Sequence, residues 1–504
     1  MINFFFLILS IDIKVMADLT SGFPKNLAYS IKELNGFSKQ TVKILTDRLS
    51  SSANPNDIIR IKLPPNSIID LRTFCLYFDF TATTSGTVAG CEAHFPRYSS
   101  SIIDQLNVYI NNNQVSTIQY YNHLYNTIAD LSYGGENTAK RSLENYDPSV
   151  IYKFDDTSAW GKITGYRSTK ASGAGNDNTR TFCINNFMGI FQASTPCIDT
   201  SDCGDVIIEI RLANSGIVWG SAGTSNAVYF QGNCSYSINN IRATVSRISF
   251  NNSEYYELKA AKLLESSLLI GFQDFYTVRG NSTQKSANVS WTYSVNANSL
   301  DYIIATVQRA DYTNNGYLAL YGSQNDGTTN SDGGTIAAGF TNYTFNEALA
   351  NQSLTFTAHA SQLRDGDYFN QAIYFQRRNH GFKTGQFSIN SVMIDTYPRP
   401  AEEVYTDTLI NLGMKNLDTG SSIHPGCISL WHYNKYYWAQ ICSLQNISGD
   451  NQFWRSGLNG NAAAILVQYN AVYDGLASDS VYPVFFNALT KILSVSAGRV
   501  INIV

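Results

Sequence analysis

Short runs in which apolar and polar side chains alternate recur along most of this chain of 504 residues. The clearest run covers residues 103–110, where Leu106, Val108 and Ile110 share one face of an extended backbone. A period of two residues is that of a β-strand with one buried face. Because such runs dominate the sequence, it predicts an all-β protein.

A hairpin and a short helix are predicted directly after this run. Asn111, Asn112 and Asn113 tolerate positive φ, so they favour a tight turn into a second strand near residues 115–120. The period then changes to that of a helix. The apolar residues with helical spacing are Tyr121, Leu124, Tyr125 and Ile128. We therefore expect a strand pair with a helix packed on it, a unit that requires no catalytic group.

A first set of about eight strands is predicted before residue 251. Besides the two hairpin strands, the clearest runs cover residues 59–63, 74–80, 206–212 and 238–250. A polar stretch over residues 132–180 is typical of a long loop insertion. Eight strands in about 200 residues is the number and spacing of a jelly roll.

The strand pattern stops at residues 251–266 and then restarts. Asn251 stands three residues before Glu254, as in a capping box, and good helix formers follow, so a connecting helix is predicted. A second polar insertion, over residues 311–345, lies in the same relative place as the first. The second set of predicted strands covers residues 267–276, 290–295, 301–308, 353–358, 427–433, 462–469, 491–496 and 499–504.

The repeated set predicts an all-β fold of two consecutive eight-stranded jelly-roll domains with short helices and long loop insertions. The expected divisions are an N-terminal extension with a short helix over residues 1–36, a first jelly roll over 37–252, a connecting helix over 253–266 and a second jelly roll over 267–504.

The N-terminal extension begins with an apolar segment, MINFFFLILSIDIKVM. It resembles the core of a signal peptide, but it lacks a basic start, meets Asp12 early and is too short to span a bilayer. Met16 begins a more ordinary soluble sequence. Two interpretations stay open for residues 1–15, namely an over-extended gene and a buried anchor segment.

Charged residues make up only 15% of the chain, against a usual share of about 25%. With 44% hydrophobic residues and a net charge of −4, disorder is excluded. Strong nucleic-acid binding needs clustered Lys and Arg, whereas the basic residues here form scattered pairs such as Lys140 with Arg141 and Arg377 with Arg378. The sequence therefore predicts no strong direct binding to nucleic acid.

The histidines and the paired acidic residues show no spacing typical of a catalytic or metal-binding site. The six histidines, at positions 94, 123, 359, 380, 424 and 432, form neither HxH nor HExxH, and His123 is expected to be a packed structural residue. The acid pairs Asp155 with Asp156 and Asp365 with Asp367 suit turns better than a glycosidase or calcium site. The sequence thus predicts no enzyme, with no catalytic, cofactor or metal residues.

The eight cysteines lie at positions 75, 91, 183, 197, 203, 234, 427 and 442. They have neither CxxC spacing nor the density of a small disulfide-linked domain. Cys197 and Cys203 are near enough in sequence to close a short loop, but reduced thiols are expected in a chain of this size.

Four stretches together resemble a known family. They are residues 95–126 (FPRYSSSIIDQLNVYINNNQV and YNHLYN), 235–266 (SYSINNIRATVSRISF and the helix after it), 267–282 (SLLIGFQDFYTVRGNS) and 453–504 (from FWRSGLNG to GRVINIV). In order and spacing the sequence resembles the double jelly-roll major capsid proteins of DNA viruses, most closely those of polinton-like viruses and their relatives.

The resemblance implies a homotrimeric capsomer with a pseudo-hexagonal outline, which tiles an icosahedral virion shell around a double-stranded DNA genome. The insertions at 132–180 and 311–345 would form towers on the outer surface. The resemblance also implies assembly inside the host cell, trimer–trimer lattice contacts, and penton and minor or cement proteins as partners. The residues carry no signal about a membrane beneath the shell.

Two alternatives stay open at this point. A receptor- or glycan-binding β-protein, such as a minor capsid or spike component, would show glycan affinity without lattice contacts. A carbohydrate-active enzyme would need a cleft with two acids.

Overall fold

The computed structural model describes the chain in segments. The described residues are 37–46, 52–84, 92–94, 96, 98–132, 180–193, 195–221, 234–250, 253–281, 283–284, 288–309, 373–375, 377, 379, 381–411, 430, 433–434, 437–444, 457–460, 464–473 and 480–503.

Strands dominate the first half of the described chain. In chain order they are β1 (Phe37–Leu45), β2 (Ile58–Lys62), β3 (Ile68–Thr84), β4 (Glu92–His94), β5 (Ile103–Ile110), β6 (Asn113–Gln119), β7 (Arg180–Ile184), β8 (Cys197–Asp199), β9 (Val206–Leu212), β10 (Trp219–Ser221) and β11 (Cys234–Phe250). Sheet I has the order β1-β11-β3-β7, and sheet II has the order β2-β9-β5-β6. The short strand β8 extends sheet I beside β3, and β4 pairs with β10.

The second half is built in the same way. Its strands are β12 (Leu268–Arg279), β13 (Thr283–Gln284), β14 (Asn288–Val295), β15 (Leu300–Arg309), β16 (Phe382–Ile389), β17 (Val392–Met393), β18 (Arg399–Pro400), β19 (Gln440–Ser443), β20 (Ile465–Tyr473), β21 (Ser480–Ser496) and β22 (Val500–Ile503). Sheet III has the order β12-β21-β15-β19, and sheet IV has the order β14-β20-β16-β17.

The strand order of the first half repeats in the second. Eight main strands remain in each half when the short strands β4, β8 and β10, or β13, β18 and β22, are left out. Numbered 1 to 8 along the chain, they form one sheet with the order 1-8-3-6 and another with the order 2-7-4-5, in both halves. All ladders between these strands are antiparallel, for example β1 with β11 and β12 with β21. This is the arrangement of a jelly roll, in which strands that are distant in sequence pair around a sandwich. The predicted all-β fold with two jelly rolls is confirmed.

Helices lie between the strands. The described α-helices are Tyr121–Ser132, Thr200–Cys203, Ser253–Glu265 and Ala401–Asn411, and the 3₁₀ turns are Ser99–Ile102, Gly189–Gln192, Ser215–Ile217 and Ile373–Phe375. Among the described residues, no helix has the length and apolar character needed to cross a membrane.

The alternating pattern that predicted the strands also forms the core. Leu106, Val108 and Ile110 are buried, with at most 2% of each residue exposed. They belong to one apolar cluster that contains residues from all four sheets. The turn after them has Asn111 at φ 49° and Asn112 at φ 65°, as the asparagine run predicted.

Some predicted elements differ from the structure. The strand expected over residues 427–433 is wrong where the structure describes it, because Leu430 and Tyr433 are helical. The run at 491–496 is only the end of the 17-residue strand β21. The helix within residues 1–36, Asn251 of the capping box, the strand at 353–358, and nearly all of the insertion at 132–180 and all of that at 311–345 lie outside the described residues.

Candidate functional site

The His, Cys, Asp and Glu side chains, which could act in catalysis or metal binding, are dispersed in the described part of the chain. No three His, Cys, Asp or Glu side chains come close enough there to hold a metal ion. Cys197 and Cys203 are buried free thiols, and burial raises the pKa of Cys197 to about 12. His359, His380, His424 and His432 lie outside the described residues, as do the four predicted acid-pair positions between 155 and 367.

His123 is buried at the joint between the two halves, as predicted for a packed residue. It lies on the helix after the hairpin, and its ring centroid is 4.5 Å from that of Tyr374 and 5.4 Å from that of Phe375. Its Nε2 lies 3.3 Å from Nε2 of Gln308 on β15. Burial, helped by the positive charges of Arg377 and Arg279, lowers the pKa of His123 to about 3. The ring is therefore neutral and serves packing.

A second buried contact joins sheet II to sheet III. Ser116 on β6 donates a hydrogen bond to Oδ1 of Asp274 on β12 at 2.7 Å, and Lys491 donates to Oδ2 at 2.7 Å. Asp274 is only 1% exposed, so both of its oxygens are satisfied inside the protein. Gly189 closes this site from the side, since a Cβ there would lie 3.2 Å from Ser116 Oγ. The two halves are thus fixed together by polar as well as apolar contacts.

The connecting helix is held against the first half by one lysine. Lys259 Nζ lies 2.6 Å from Asp199 and 2.8 Å from Asp202, and its side chain is only 7% exposed. The ammonium also lies 5.8 Å from the ring centroid of Tyr255. A buried cation with two carboxylates and an aromatic ring fixes the direction in which the chain enters the second half.

The outer face of sheet IV has an unusual composition. Its cross-strand rows consist of hydroxyl, amide and apolar side chains, and the exposed Lys383 lies at the end of β16, where the pairing with β20 shifts between Phe382 and Thr384. Gln468 at its centre donates to Ser290 Oγ at 3.0 Å and to Asn470 Oδ1 at 3.2 Å. We call this surface the neutral face; it comprises Asn288, Ser290, Thr292, Ser294, Thr384, Gln386, Ser388, Met393, Leu466, Gln468, Asn470 and Val472.

Sheet II, the topological equivalent of sheet IV, has a charged outer face. Arg60 on β2 pairs with Glu209 on β9 at 2.7 Å, and Lys62 pairs with Asp205 at 2.7 Å. Two equivalent sheets of one chain therefore present surfaces of different chemistry. Cores of protein interfaces are depleted in charged residues, so the neutral face is the better candidate for a contact that excludes water.

Sequence reasoning missed most of these contacts. The helix Ala401–Asn411 was not predicted, although Pro400 just before it and two glutamates in its first turn are start signals. The neutral face also left no sequence signal, because its members come from four strands that are distant along the chain.

Comparisons with known proteins support the fold. No protein-family model matches the sequence, and no curated protein sequence matches it. The Faustovirus major capsid protein superposes with a TM-score of 0.50 at 12% identity, covering 91% of this chain and 91% of that one. A chain from the cryo-electron microscopy structure of the Sputnik virophage superposes with a TM-score of 0.50 at 11% identity, covering 94% and 89%. The chain therefore has the double jelly-roll fold found in viral major capsid proteins.

Proposed function

We propose that this protein is a major capsid protein with a structural, non-enzymatic role in the virion. The observation that carries the proposal is the strand order 1-8-3-6 and 2-7-4-5, which occurs twice in one chain. Three such chains around a three-fold axis present six similar blocks. A pseudo-hexagonal homotrimer of this kind can tile the facets of an icosahedral shell around a double-stranded DNA genome.

The division of the chain supports this role. All described strands of sheets I and II come from residues 37–250, and all those of sheets III and IV come from residues 268–503. We propose jelly-roll domains over 37–252 and 267–504, joined by the helix at 253–266. The buried contacts of His123 and Asp274 hold the two domains in one orientation, which a capsomer corner needs.

We assign the neutral face to contacts between chains. An uncharged surface loses less hydration energy on burial than a charged one. Stable obligate interfaces commonly bury about 2,000–5,000 Å², so further surfaces must contribute. Penton and minor or cement proteins are the expected partners beyond the trimer, and the resemblance to proteins of polinton-like viruses stays a prediction.

Negative-stain electron microscopy of the full chain, after size-exclusion chromatography with light scattering, tests the proposal. The expected result is a particle of three chains with a six-cornered outline. Monomers, or elongated spikes without that outline, would contradict it and would favour the glycan-binding alternative, which a glycan array then examines.

A further inference from the structure

An open cleft of about 500 Å³ lies where the two halves meet. Arg211 and Asp104 line it from the first half, and Arg279 and Tyr482 line it from the second. Its volume falls within the range of about 300–1,000 Å³ that is usual for ligand sites. The cleft is unrelated to the neutral face, which lies on sheet IV.

Arg279 brings a positive charge to the cleft that aromatic rings hold in place. Its guanidinium carbon lies 4.1 Å from the ring centroid of Tyr482 and 5.5 Å from that of Tyr120. Nη1 donates to the Tyr120 hydroxyl at 3.0 Å, while the buried Nε has no hydrogen-bond partner among the described residues. Aromatic rings thus fix the position of this charge, and no carboxylate of the described residues neutralises it.

The backbone supports this arrangement at a conformational cost. Tyr120 has φ 53°, a left-handed conformation that is uncommon for a bulky residue and costs conformational energy. It lies between the end of β6 and the start of the helix at Tyr121. The strained residue is the one whose ring and hydroxyl hold Arg279.

Arg211 adds a second guanidinium, which Asp104 offsets only in part. Arg211 Nε lies 4.0 Å from Asp104 Oδ2, too far for a hydrogen bond, and the arginine side chain is 50% exposed. The pairing of β5 with β9 shifts between Ile103 and Gln105, which leaves Asp104 in an irregularity of the strand. Such bulges redirect side chains beside functional sites. Two guanidinium groups against one carboxylate leave a charge of +1 among the described residues that line the cleft.

The chemistry of the walls narrows the ligand class. Guanidinium groups bind carboxylates through paired N–H donors. A sugar would need a free aromatic face, but Arg279 packs on the rings of Tyr120 and Tyr482. The third ring of the lining, Tyr374, packs on His123 and Phe375. Asp104 repels any anion in the cleft, and it repels a singly charged carboxylate less than a dianionic phosphate. The amide side chains of Gln105 and Gln119, which also line the cleft, both donate and accept, as peptide groups require.

We propose that this cleft binds an acidic peptide segment of another polypeptide, with one carboxylate held between Arg211 and Arg279. Asp104 then accepts a hydrogen bond from a backbone N–H of the same segment. This binding activity goes beyond a role in building the shell, and it can be measured on the soluble chain in any oligomeric state.

Fluorescence anisotropy with a fluorescein-labelled peptide, Gly-Glu-Gly-Asp-Gly-Gly, tests the proposal on the full chain. The neutral analogue, in which Gln and Asn replace the acids, should bind at least about tenfold more weakly, which is the loss expected for a charge-assisted hydrogen bond. R211Q should weaken binding of the acidic peptide about tenfold, and R279Q should do the same. Because Arg279 is packed between rings, R211Q, at a half-exposed site, is the decisive variant if R279Q misfolds.

Two further variants separate the proposal from general electrostatic attraction. D104N removes the negative charge that offsets Arg211 but keeps a side-chain oxygen that can accept the backbone N–H, so it should strengthen binding of the acidic peptide severalfold. R72Q removes an arginine from sheet I that is 49% exposed, and it should leave binding unchanged. Equal binding of the acidic and neutral peptides, or unchanged binding in R211Q, would overturn the proposal. A single-stranded DNA oligonucleotide that binds the cleft where the peptide does not would also overturn it.

Discussion

Arg377 donates a hydrogen bond from Nη2 to Oδ2 of Asp130 at 3.0 Å, although the two residues are 247 positions apart in the sequence. Both side chains are buried, with 3% and 0% exposed. Asp130 also accepts from the Tyr98 hydroxyl at 2.9 Å. The pair joins the helix after the hairpin in the first half to a segment of the second half, so it reports on how firmly the halves are attached.

We expect Arg377→Met to lower the free energy of unfolding by about 3–5 kcal/mol, because it leaves the buried Asp130 without its cation. Urea unfolding followed by tryptophan fluorescence measures this change. As a control, Arg60→Met breaks the exposed pair with Glu209 and should cost at most about 1 kcal/mol. If both variants cost the same, the Arg377 pair is not buried in solution.

The hairpin of residues 103–119 gives a second test. Leu106→Asp places an unpaired charge in a fully buried position and should destabilise the protein by more than about 4 kcal/mol, so that no soluble trimer forms. Val108→Asp should behave in the same way. Expression and size-exclusion chromatography measure the outcome. Asn112→Asp changes an exposed turn residue that already has positive φ, and it should assemble normally. Normal assembly of the Leu106 variant would mean that this face is not inside.

Sequence reasoning worked best where one face of an element meets the core. Leu106, Val108 and Ile110 identified their strand because burial imposes the alternation locally. The helix at Ser253–Glu265 was also predictable, since its helix formers follow a break in the strand pattern. Such patterns depend only on residues that are neighbours in the sequence, so they can be interpreted without knowledge of the tertiary structure.

Sequence reasoning failed where contacts with residues distant in the sequence decide the local structure. In β21, Pro483 interrupts the strand pattern and would normally argue against a central strand. Its ring instead packs against Gly280, where a Cβ would lie 2.6 Å from Pro483 Cγ, and Gly280 N–H donates to the Pro483 carbonyl at 2.9 Å. The apolar run around Leu430 was predicted as a strand, because short apolar runs of helix and strand look alike.

The neutral face provides a third prediction. Thr292→Lys places a charge at an exposed position of β14, so it should change the stability of the monomer by less than about 0.5 kcal/mol. If this face packs against another chain, the buried ammonium should weaken trimer formation at least about tenfold. Mass photometry across a concentration series measures the trimer fraction.

A matched control for the neutral face is Gln114→Lys, an exposed position on the equivalent sheet II, whose outer face already carries charge. This variant should form trimers like the unchanged protein. A wild-type chain that is never trimeric would contradict the proposed function itself. A trimeric wild type with an equally trimeric Thr292→Lys variant would contradict only the assignment of the neutral face.

His123 makes stability depend on pH in a direction that follows from its contacts. Gln308 Nε2 is a donor, so the His123 Nε2 it meets at 3.3 Å must be unprotonated, and protonation would bring two donors together. Because the pKa of His123 is about 3 in the folded protein and about 6.5 when unfolded, the unfolded state binds the proton more readily between these values. Stability is therefore complete above about pH 6.5 and falls as the pH drops towards 3.

We expect the unchanged protein to lose up to about 2 kcal/mol of unfolding free energy between pH 7.5 and pH 5.0 through this residue, at about 1.4 kcal/mol per pH unit below pH 6.5. His123→Gln keeps an acceptor near the position of Nε2 but does not titrate, so its stability should be flatter over this range. Urea unfolding at several pH values measures the difference in unfolding free energy between the two proteins. Because both contain the same carboxylates, the effect of carboxylate titration cancels in this difference. Parallel pH profiles would show that His123 is accessible to protons in the folded state, and that the joint between the two halves is open there.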